Sequence, residues 1–394
     1  MKGRRGGPGD SAVFAVVTGG GTGGHVYPGL ALAEALVARG HDRSSIHWVG
    51  SARGVEATVV PDAGYSIDLL PGRGLQRRLT FENVGVATGN AAAFRQAARL
   101  LRRLRPGVVV GVGGYASLPC LLAARLSRLP AVVHEQNAAP GLANRIAVAL
   151  GARAAVSLPG TPLRGAVLTG NPIRAAVAGV VRRPSPERPV VALFGGSLGA
   201  RRVNQAALGV YDRWRDRAAV TIHHVTGPAG YQDCVDGLAA LRRPGDVLEY
   251  RLVRYEDRMP ELYAATSIAV CRAGATTVAE LAAAGVPSLL VPLPGAPGDH
   301  QTRNAEALVA AGAAVLVPDA ECTGARLAAE LEPLLADPAR LEAMAAAART
   351  LARPGAADDL AGLVEATAAG RPFRARDGRP NGDALAGHRD GGPQ

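Results

Sequence analysis

The chain has 394 residues, of which 48% are apolar and 4% aromatic, and its formal net charge is +11. This length predicts two domains, each large enough to bury its own core. The positive charge indicates attraction to phosphates, but so few aromatic rings argue against a protein that stacks nucleic acid bases, so no nucleic acid partner is expected.

Cysteines and apolar runs limit where the protein works. The four cysteines lie far apart, without a C-x-x-C pair or metal-ligand spacing, which indicates free thiols in a reducing compartment. The basic start and the apolar run after it are similar to a signal peptide, but the run is short and lacks a small-residue cleavage site. Glycines interrupt 107–123, the stretch nearest to a membrane span. We therefore expect a cytoplasmic protein, either soluble or bound peripherally to a membrane.

Strand and helix patterns alternate along the first half of the chain. The run SAVFAVV at 11–17 predicts a buried strand, and the helix pattern at 28–40 ends at a glycine. Further strand patterns follow at 45–50, 107–114 and 131–136. This repeated strand–helix–strand order predicts a doubly wound parallel sheet.

The same order returns in the second half. Residues 176–189 are rich in proline and arginine, which indicates a linker. A strand pattern then leads into the loop GGSLGA at 195–200 and a helix pattern at 201–214. We therefore expect two α/β halves that face each other across a cleft, with the last helices, 323–352, packed on either half.

The segment GGGTGG at 19–24 matches G-x-G-x-x-G between a strand and a helix. Such a loop lets backbone N–H groups approach a phosphate or a sugar. A dinucleotide site would also need an acid at the end of the second strand, where Gly50 and Ser51 stand instead. His25 follows the loop and is a candidate general base, because an imidazole titrates near neutrality.

Polar side chains follow several other predicted strands. The amide of Asn137, in HEQNAAPGLANR at 134–145, suits sugar hydroxyls, and Ser197 offers a hydroxyl to a phosphate. Glu280 lies one turn into a helix, where a carboxylate can accept hydrogen bonds from both ribose hydroxyls, and Gln301 follows a glycine- and proline-rich loop. The same residues also occur in loops and helix starts that bind no ligand.

Several catalytic motifs are missing from the sequence. It contains no D-x-D, no G-x-S-x-G, no Walker lysine and no cluster with metal-ligand spacing. We therefore expect chemistry without a metal ion and without a cofactor.

Seven motifs, in order, resemble the MurG family of bacterial transferases, which add N-acetylglucosamine to undecaprenyl-pyrophosphoryl-MurNAc-pentapeptide (lipid I) to give lipid II. The resemblance covers about residues 12–355. It implies a GT-B fold, two Rossmann-like domains with the donor UDP-GlcNAc mainly in the C-terminal one. The motifs are GGTGGHVYPGLALA, GGYASLP, HEQNAAPGLANR, TGNPIR, GGSLGA, CRAGATTVAEL and DHQTRNA.

The resemblance also implies a donor site. In the family a main-chain segment contacts the uracil, and it corresponds to residues 255–257 here. Glu256 stands where the family usually has an apolar residue. Other departures in the donor site are Leu198, Ala273 and Thr276. The remaining implied contacts are Thr22, Gly23, Gly24 and Asn137 near the sugar, Arg174 near the domain junction, Ser197 on phosphate or nucleotide, Ala275, Thr276, Thr277, Val278, Ala279 and Glu280 on diphosphate and ribose, and Gln301 on the sugar hydroxyls.

The implied reaction is an inverting displacement at the anomeric carbon by the 4-hydroxyl of MurNAc. His25 is the first candidate base and Glu135 the second. Because the acceptor carries a lipid, we expect the protein on the cytoplasmic face of the cell membrane, held to anionic headgroups by a basic and apolar segment at 72–81. The side chains of this predicted membrane patch are Arg73, Leu75, Arg77, Arg78, Leu79 and Phe81.

The predicted domain order follows from these motifs. We expect a disordered basic tail at 1–11, an acceptor- and membrane-side domain at 12–175, a linker at 176–189, a donor domain at 190–355, and a largely disordered segment at 356–394. Alternative functions are a UDP-GlcNAc 2-epimerase, which shares the fold and nucleotide, and a paralogous glycosyltransferase of a specialised pathway.

Overall fold

Two compact units make up the protein. One joins Met1–Pro172 with Gly355–Gln394, and the other is Ile173–Pro354. Each contains one parallel sheet with helices on both faces, which confirms the predicted fold class of two doubly wound α/β domains. The computed structural model describes residues 13–52, 54–71, 82–196 and 199–375.

The sheet of the first unit is built from short, Val-rich strands that are buried on both faces, as is usual in parallel sheets. In chain order the strands are β1 (Ala15–Thr18), β2 (Ile46–Ser51), β3 (Ser66–Leu70), β4 (Val108–Gly111), β5 (Ala131–Glu135), β6 (Arg153–Val156) and β7 (Val167–Leu168). They lie side by side in the order β3-β2-β1-β4-β5-β6-β7, and every neighbouring pair is parallel.

Helices cover both faces of this sheet. Leu32 and Trp48 belong to the core on one face, and Val16 and Leu121 to the core on the other. The strand ends that carry the predicted loops therefore meet at one edge, between two helical layers. The helices that precede the crossing to the second unit are α1 (Gly23–Ala38), α2 (Glu56–Asp62), α3 (Glu82–Leu104), α4 (Ser117–Leu126) and α5 (Leu142–Ala149).

The second unit repeats this plan. Its strands are β8 (Val190–Phe194), β9 (Thr221–Val225), β10 (Glu249–Val253), β11 (Thr266–Cys271), β12 (Ser288–Leu290) and β13 (Ala314–Leu316). They form a parallel sheet in the order β10-β9-β8-β11-β12-β13, which matches the order of the first six positions in the other sheet. Its helices are α6 (Ala175–Ala178), α7 (Arg201–Trp214), α8 (Tyr231–Leu241), α9 (Met259–Ala265), α10 (Ala275–Ala284), α11 (His300–Ala310), α12 (Gly324–Leu335) and α13 (Pro338–Thr350).

The predicted linker at 176–189 is part of the second unit rather than a spacer. Val177 is fully buried in the core of that unit. The N–H of Arg183 donates to the carbonyl of Ala264 at 2.7 Å, and Arg182 forms an ion pair with Glu342. The segment is rich in proline and arginine but is still packed, because its apolar residue Val177 lies in the core of the second unit.

The C-terminal segment, predicted to be largely disordered, contains a helix that the sequence analysis did not predict. Ala356–Ala368 forms helix α14 in the first unit. Leu360 and Val364 are fully buried in the same core as Leu32, because their spacing places them on one helical face. Arg39 of α1 donates to α14 at Asp358 and Glu365, each at 2.7 Å.

Candidate functional site

Two glycine loops meet at the carboxyl edge of the first sheet. One follows β1 and holds the predicted Thr22, Gly23 and Gly24, which form the start of α1. The other follows β4, and its Gly113 accepts a hydrogen bond from the N–H of Gly20 at 3.1 Å. The loops therefore support each other, and both need glycine at this contact, because a Cβ at Gly20 would overlap the Glu56 side chain and one at Gly113 would overlap the His25 ring.

His25 lies half-buried at this junction, in the first turn of α1. Its Nδ1 is 3.1 Å from the carbonyl oxygen of Gly20 and 3.4 Å from the Thr22 hydroxyl. A carbonyl can only accept, so the bond to Gly20 requires the hydrogen on Nδ1 and leaves the lone pair on Nε2. A neutral imidazole in this tautomer has its basic lone pair on Nε2 and is chemically suited to take a proton from a hydroxyl.

Glu56, at the start of α2, is a residue of this site that the sequence analysis missed. Its side chain is fully buried. Oε2 accepts from the N–H of Gly21 at 2.7 Å, and Oε1 accepts from the N–H of Ser51 at 2.8 Å. Strand β2 ends at Ser51 without an acid, and the carboxylate of Glu56 lies five residues further along the chain. Because Gly21 donates to this carboxylate, its N–H does not serve as the phosphate contact that the loop pattern indicated.

Glu135, the second candidate base, is held by donors on both oxygens. Oε1 accepts from the backbone N–H of Asn137 at 3.0 Å and from its side-chain amide at 3.3 Å. Oε2 accepts from the N–H of Gly141 at 2.9 Å and the amide of Asn144 at 2.8 Å. The carboxylate is almost fully buried. Its lone pairs thus anchor the loop after β5, an arrangement that favours His25 as the base.

The neighbouring polar side chains His134 and Gln136 are also buried. His134 is fully buried, and burial lowers its pKa to about 4, so the ring is neutral at pH 7. Its Nε2 contacts the carbonyl of Gly170 at 3.0 Å, and Gln136 donates to the carbonyl of Val112 at 2.8 Å. His134 and Gln136 therefore contact the protein interior, whereas the predicted Asn137 is half-buried.

In the second unit, the structure brings Arg174 and Glu280 together. Glu280 lies on α10 and is only 7% exposed. Its Oε2 accepts from the hydroxyl of Tyr263 at 2.9 Å, and its Oε1 lies 3.5 Å from Arg174. Burial raises the pKa of Glu280, and the two donors oppose that effect. A fixed, partly compensated carboxylate of this kind can accept hydrogen bonds from vicinal hydroxyls.

The starts of α10 and α11 supply further polar groups. Ala275 to Ala279 form the first turns of the helix, whose N-terminus carries positive potential. The hydroxyl of Thr276 is buried and has no hydrogen-bond partner among the described residues. Gln301, on α11, accepts from the N–H of Leu293 at 2.9 Å, which leaves its amide hydrogens for another partner.

Glu256 turns its carboxylate toward the protein. Oε2 lies 3.0 Å from Nε2 of His223, and Oε1 accepts from the N–H of Arg258 at 2.9 Å. Burial lowers the pKa of His223, while Glu256 acts in the opposite direction. The acid that replaces a usual apolar residue is thus bound within its own loop and to β9.

Other predicted residues lie outside the described part of the chain. They are Ser197 and the whole membrane patch, Arg73, Leu75, Arg77, Arg78, Leu79 and Phe81. Within the described ranges, no helix has the length and apolar character needed to cross a membrane. The same ranges contain no group of three His, Cys, Asp or Glu side chains placed to hold a metal ion.

Comparisons with known proteins cover most of the chain. The glycosyltransferase family 28 N-terminal domain matches residues 15–156, and the C-terminal domain of that family matches 190–360. Crystal structures with the same fold include MurG from Acinetobacter baumannii, with a TM-score of 0.73, 28% identity and coverage of 89% of this chain and 99% of that one. A kitacinnamycin glycosyltransferase is similar in fold, with a TM-score of 0.68 at 18% identity over 90% of this chain and 98% of that one.

Curated relatives match over nearly their whole length. One from Desulforudis audaxviator is 39% identical, with 89% of this chain and 97% of the relative covered. Another from Nocardioides sp. is 41% identical, with 89% of this chain and 96% of the relative covered. Both are named UDP-N-acetylglucosamine–N-acetylmuramyl-(pentapeptide) pyrophosphoryl-undecaprenol N-acetylglucosamine transferase. With both domain models matched in order and relatives of this identity, the chain belongs to glycosyltransferase family 28 and, within it, to the MurG family.

Proposed function

We propose that this protein transfers N-acetylglucosamine from UDP-GlcNAc to the 4-hydroxyl of MurNAc in lipid I, forming lipid II with inversion at the anomeric carbon. The names of relatives matched over at least 96% of their length support the substrates. The observation that carries the chemistry is the contact of His25 Nδ1 with the Gly20 carbonyl, which requires hydrogen on Nδ1 and so makes Nε2 the basic nitrogen of the neutral ring.

The second unit binds the donor in this proposal. Glu280 accepts hydrogen bonds from the ribose hydroxyls, and Thr276 and the start of α10 face the diphosphate. Gln301 donates to the sugar hydroxyls, and the main chain at 255–257 contacts the uracil. The resemblance to the family adds contacts of Thr22, Gly23, Gly24 and Asn137 with the sugar, of Ser197 with phosphate or nucleotide, and a place for Arg174 near the domain junction.

The reaction balances as a single displacement. The MurNAc 4-oxygen forms a bond to the anomeric carbon while the bond from that carbon to the UDP phosphate oxygen breaks, and UDP leaves with the electron pair. The hydroxyl proton goes to Nε2 of His25, which becomes an imidazolium. Positive potential at the start of α10 stabilises the charge that develops on the leaving diphosphate, worth roughly 1–2 kcal/mol. The step needs no cofactor.

The proposal also includes attachment to the cytoplasmic face of the cell membrane. A lipid-linked acceptor requires it, and the basic and apolar side chains at 72–81 suit anionic headgroups. No nucleic acid partner is proposed, since the chain has only 4% aromatic residues for base stacking.

The test is UDP release from UDP-GlcNAc with and without a short-chain lipid I analogue, each with and without EDTA. We expect release that depends on the acceptor and is insensitive to EDTA. Formation of the 2-epimer of UDP-GlcNAc without an acceptor would favour the epimerase alternative. A protein assigned as a UDP-N-acetylglucosamine 2-epimerase, from Listeria monocytogenes, shares the fold at 13% identity, and that likeness extends to the fold alone.

A further inference from the structure

One peptide group joins a buried carboxylate to the imidazole of the first unit. The carbonyl of Gly20 and the N–H of Gly21 belong to the same planar amide. That N–H donates to Oε2 of Glu56 at 2.7 Å, and that carbonyl lies 3.1 Å from Nδ1 of His25. The order is therefore carboxylate, peptide group, imidazole, connected by two hydrogen bonds.

The carboxylate end of this arrangement is rigidly built. Glu56 is fully buried, and its other oxygen accepts from the N–H of Ser51 at 2.8 Å. Gly20 has a φ of +145°, and a Cβ there would overlap the Glu56 carboxylate. Any other residue at Gly20 would displace the carboxylate or the loop, so glycine at this position serves an internal contact.

We propose that Glu56 positions and polarises His25 through the Gly20–Gly21 peptide group. This inference rests on the proposed function, in which His25 is the base. Hydrogen bonds in a chain polarise one another, so a carboxylate on the N–H makes the carbonyl a stronger acceptor. The stronger carbonyl favours hydrogen on Nδ1 and stabilises the imidazolium that forms when Nε2 takes a proton. In serine hydrolases a carboxylate does the same by direct contact with the histidine.

Glu56 is a positioning residue here and takes no proton itself. The proton from the acceptor hydroxyl stays on Nε2 of His25, and the negative charge of Glu56 compensates the new positive charge through the peptide. Among the described residues, the titratable groups linked to His25 are Glu56 from α2, through the Gly20–Gly21 peptide, and His134 from β5, which interacts with it electrostatically. Burial lowers the pKa of His134 to about 4, so it is neutral at pH 7.

The first test uses nitrogen-15 NMR of His25 in the wild-type protein without substrates, with the signal identified by its loss in His25→Gln. We expect hydrogen on Nδ1 in the neutral ring. In Glu56→Gln we expect the pKa of His25 to fall by about half a unit or more, because the imidazolium loses a nearby negative charge. Glu34→Gln, a half-exposed acid on α1 itself, should leave the pKa of His25 unchanged.

The second test is the pH profile of transfer. In Glu56→Gln we expect kcat to fall about tenfold, the acid limb of the profile to move to lower pH with the pKa of His25, and KM for UDP-GlcNAc to stay the same. A merely structural role would change stability without moving the pKa. If Glu56→Gln does not fold, the tautomer of His25 in the wild-type protein still tests the proposal. Hydrogen on Nε2 of His25 would overturn it.

These outcomes separate this inference from the proposed function. The NMR measurement needs no substrate, so it stands if acceptor-dependent transfer is not found. Conversely, transfer with an unchanged His25 pKa in folded Glu56→Gln would overturn the role of Glu56 alone.

Discussion

The hydroxyl of Tyr263 donates to the carboxylate of Glu280 at 2.9 Å, inside a core where both side chains are almost fully buried. Burial raises the pKa of Glu280, and the hydrogen bond from Tyr263 is one of the two contacts that oppose this rise. Tyr263 is therefore expected to set how well Glu280 accepts ribose hydroxyls.

Replacing Tyr263 by Phe should weaken UDP binding about tenfold at pH 7, since a hydrogen bond to a charged group is lost. The pKa of Glu280 should rise further in this variant, so its carboxylate protonates at higher pH than in wild type. The loss of affinity should therefore grow as pH falls from 8 to 6. Isothermal titration calorimetry at both pH values measures this effect.

Tyr250→Phe is the matched control for that experiment. Tyr250 is also buried, and its hydroxyl contacts Nδ1 of His224 at 2.8 Å, away from Glu280. Its replacement should leave UDP affinity unchanged at both pH values. Equal losses in the two variants would show that Tyr263 acts only through the stability of the second unit.

Replacing His25 by Gln should lower kcat by about 10²- to 10⁴-fold, the usual contribution of a general base. Affinity for UDP measured on the free protein should not change, because Glu280 and the start of α10 in the second unit bind the nucleotide in the proposed function. Single-turnover kinetics with a lipid I analogue, together with calorimetry, separate the two effects. A kcat within threefold of wild type would exclude His25 as the base.

Glu135→Gln should mainly destabilise the first unit. An amide can present only one acceptor oxygen, so some of the four donors to Glu135 lose their partner, at a cost of about 2–3 kcal/mol. Urea unfolding measures that cost, and kcat well below the unfolding temperature should fall far less than in His25→Gln. A loss of 10²-fold or more in kcat with unchanged stability would instead make Glu135 the base.

The sheets were predictable from sequence because parallel strands buried on both faces are nearly continuous apolar runs, as in β1 and β4. The helix α14 was missed because the basic, glycine-rich composition after 370 dominated the interpretation of the whole segment. Its apolar spacing at Leu360, Leu363 and Val364 was a usable signal.

The candidate site was less predictable, since its contacts depend on long-range pairing. His25 and Glu280 could be chosen from motif position, but nothing local indicates that Glu56 binds the N–H of Gly21, 35 residues earlier. Likewise, polar residues at 134–136 resemble ligand contacts in sequence, whereas folding turns them toward Gly170 and Val112. Local patterns locate a strand end, but they do not show which of its side chains turn inward.

Glu256→Ala should weaken UDP binding about threefold to tenfold, because the loop that contains it loses two anchors. Those anchors are Nε2 of His223 and the N–H of Arg258. Calorimetry with UDP measures the loss, and Glu261→Ala, an exposed acid on α9, serves as the control. Unchanged affinity in Glu256→Ala would mean that the uracil is not recognised by the main chain at 255–257.

Stability should fall with acid in both units, and the sign follows from two buried histidines. Burial lowers the pKa of His134 to about 4 and that of His224 to about 3, each below the ordinary value of 6.5. As pH falls below 6.5, these histidines bind protons in the unfolded chain but not in the folded protein. The free energy of unfolding therefore decreases. By pH 4.5 each histidine should have lowered the free energy of unfolding by about 3 kcal/mol.

Hydrogen exchange read by mass spectrometry at pH 7.5, 6 and 5 follows the two units separately, which matters because they need not unfold together. His134 lies in the first unit and His224 in the second. His134→Gln should therefore flatten the pH dependence of the first unit only, and the second unit of the same molecule is the internal control. Protection that stays constant from pH 7.5 to 5 in the wild-type protein would contradict the buried, neutral state of both rings.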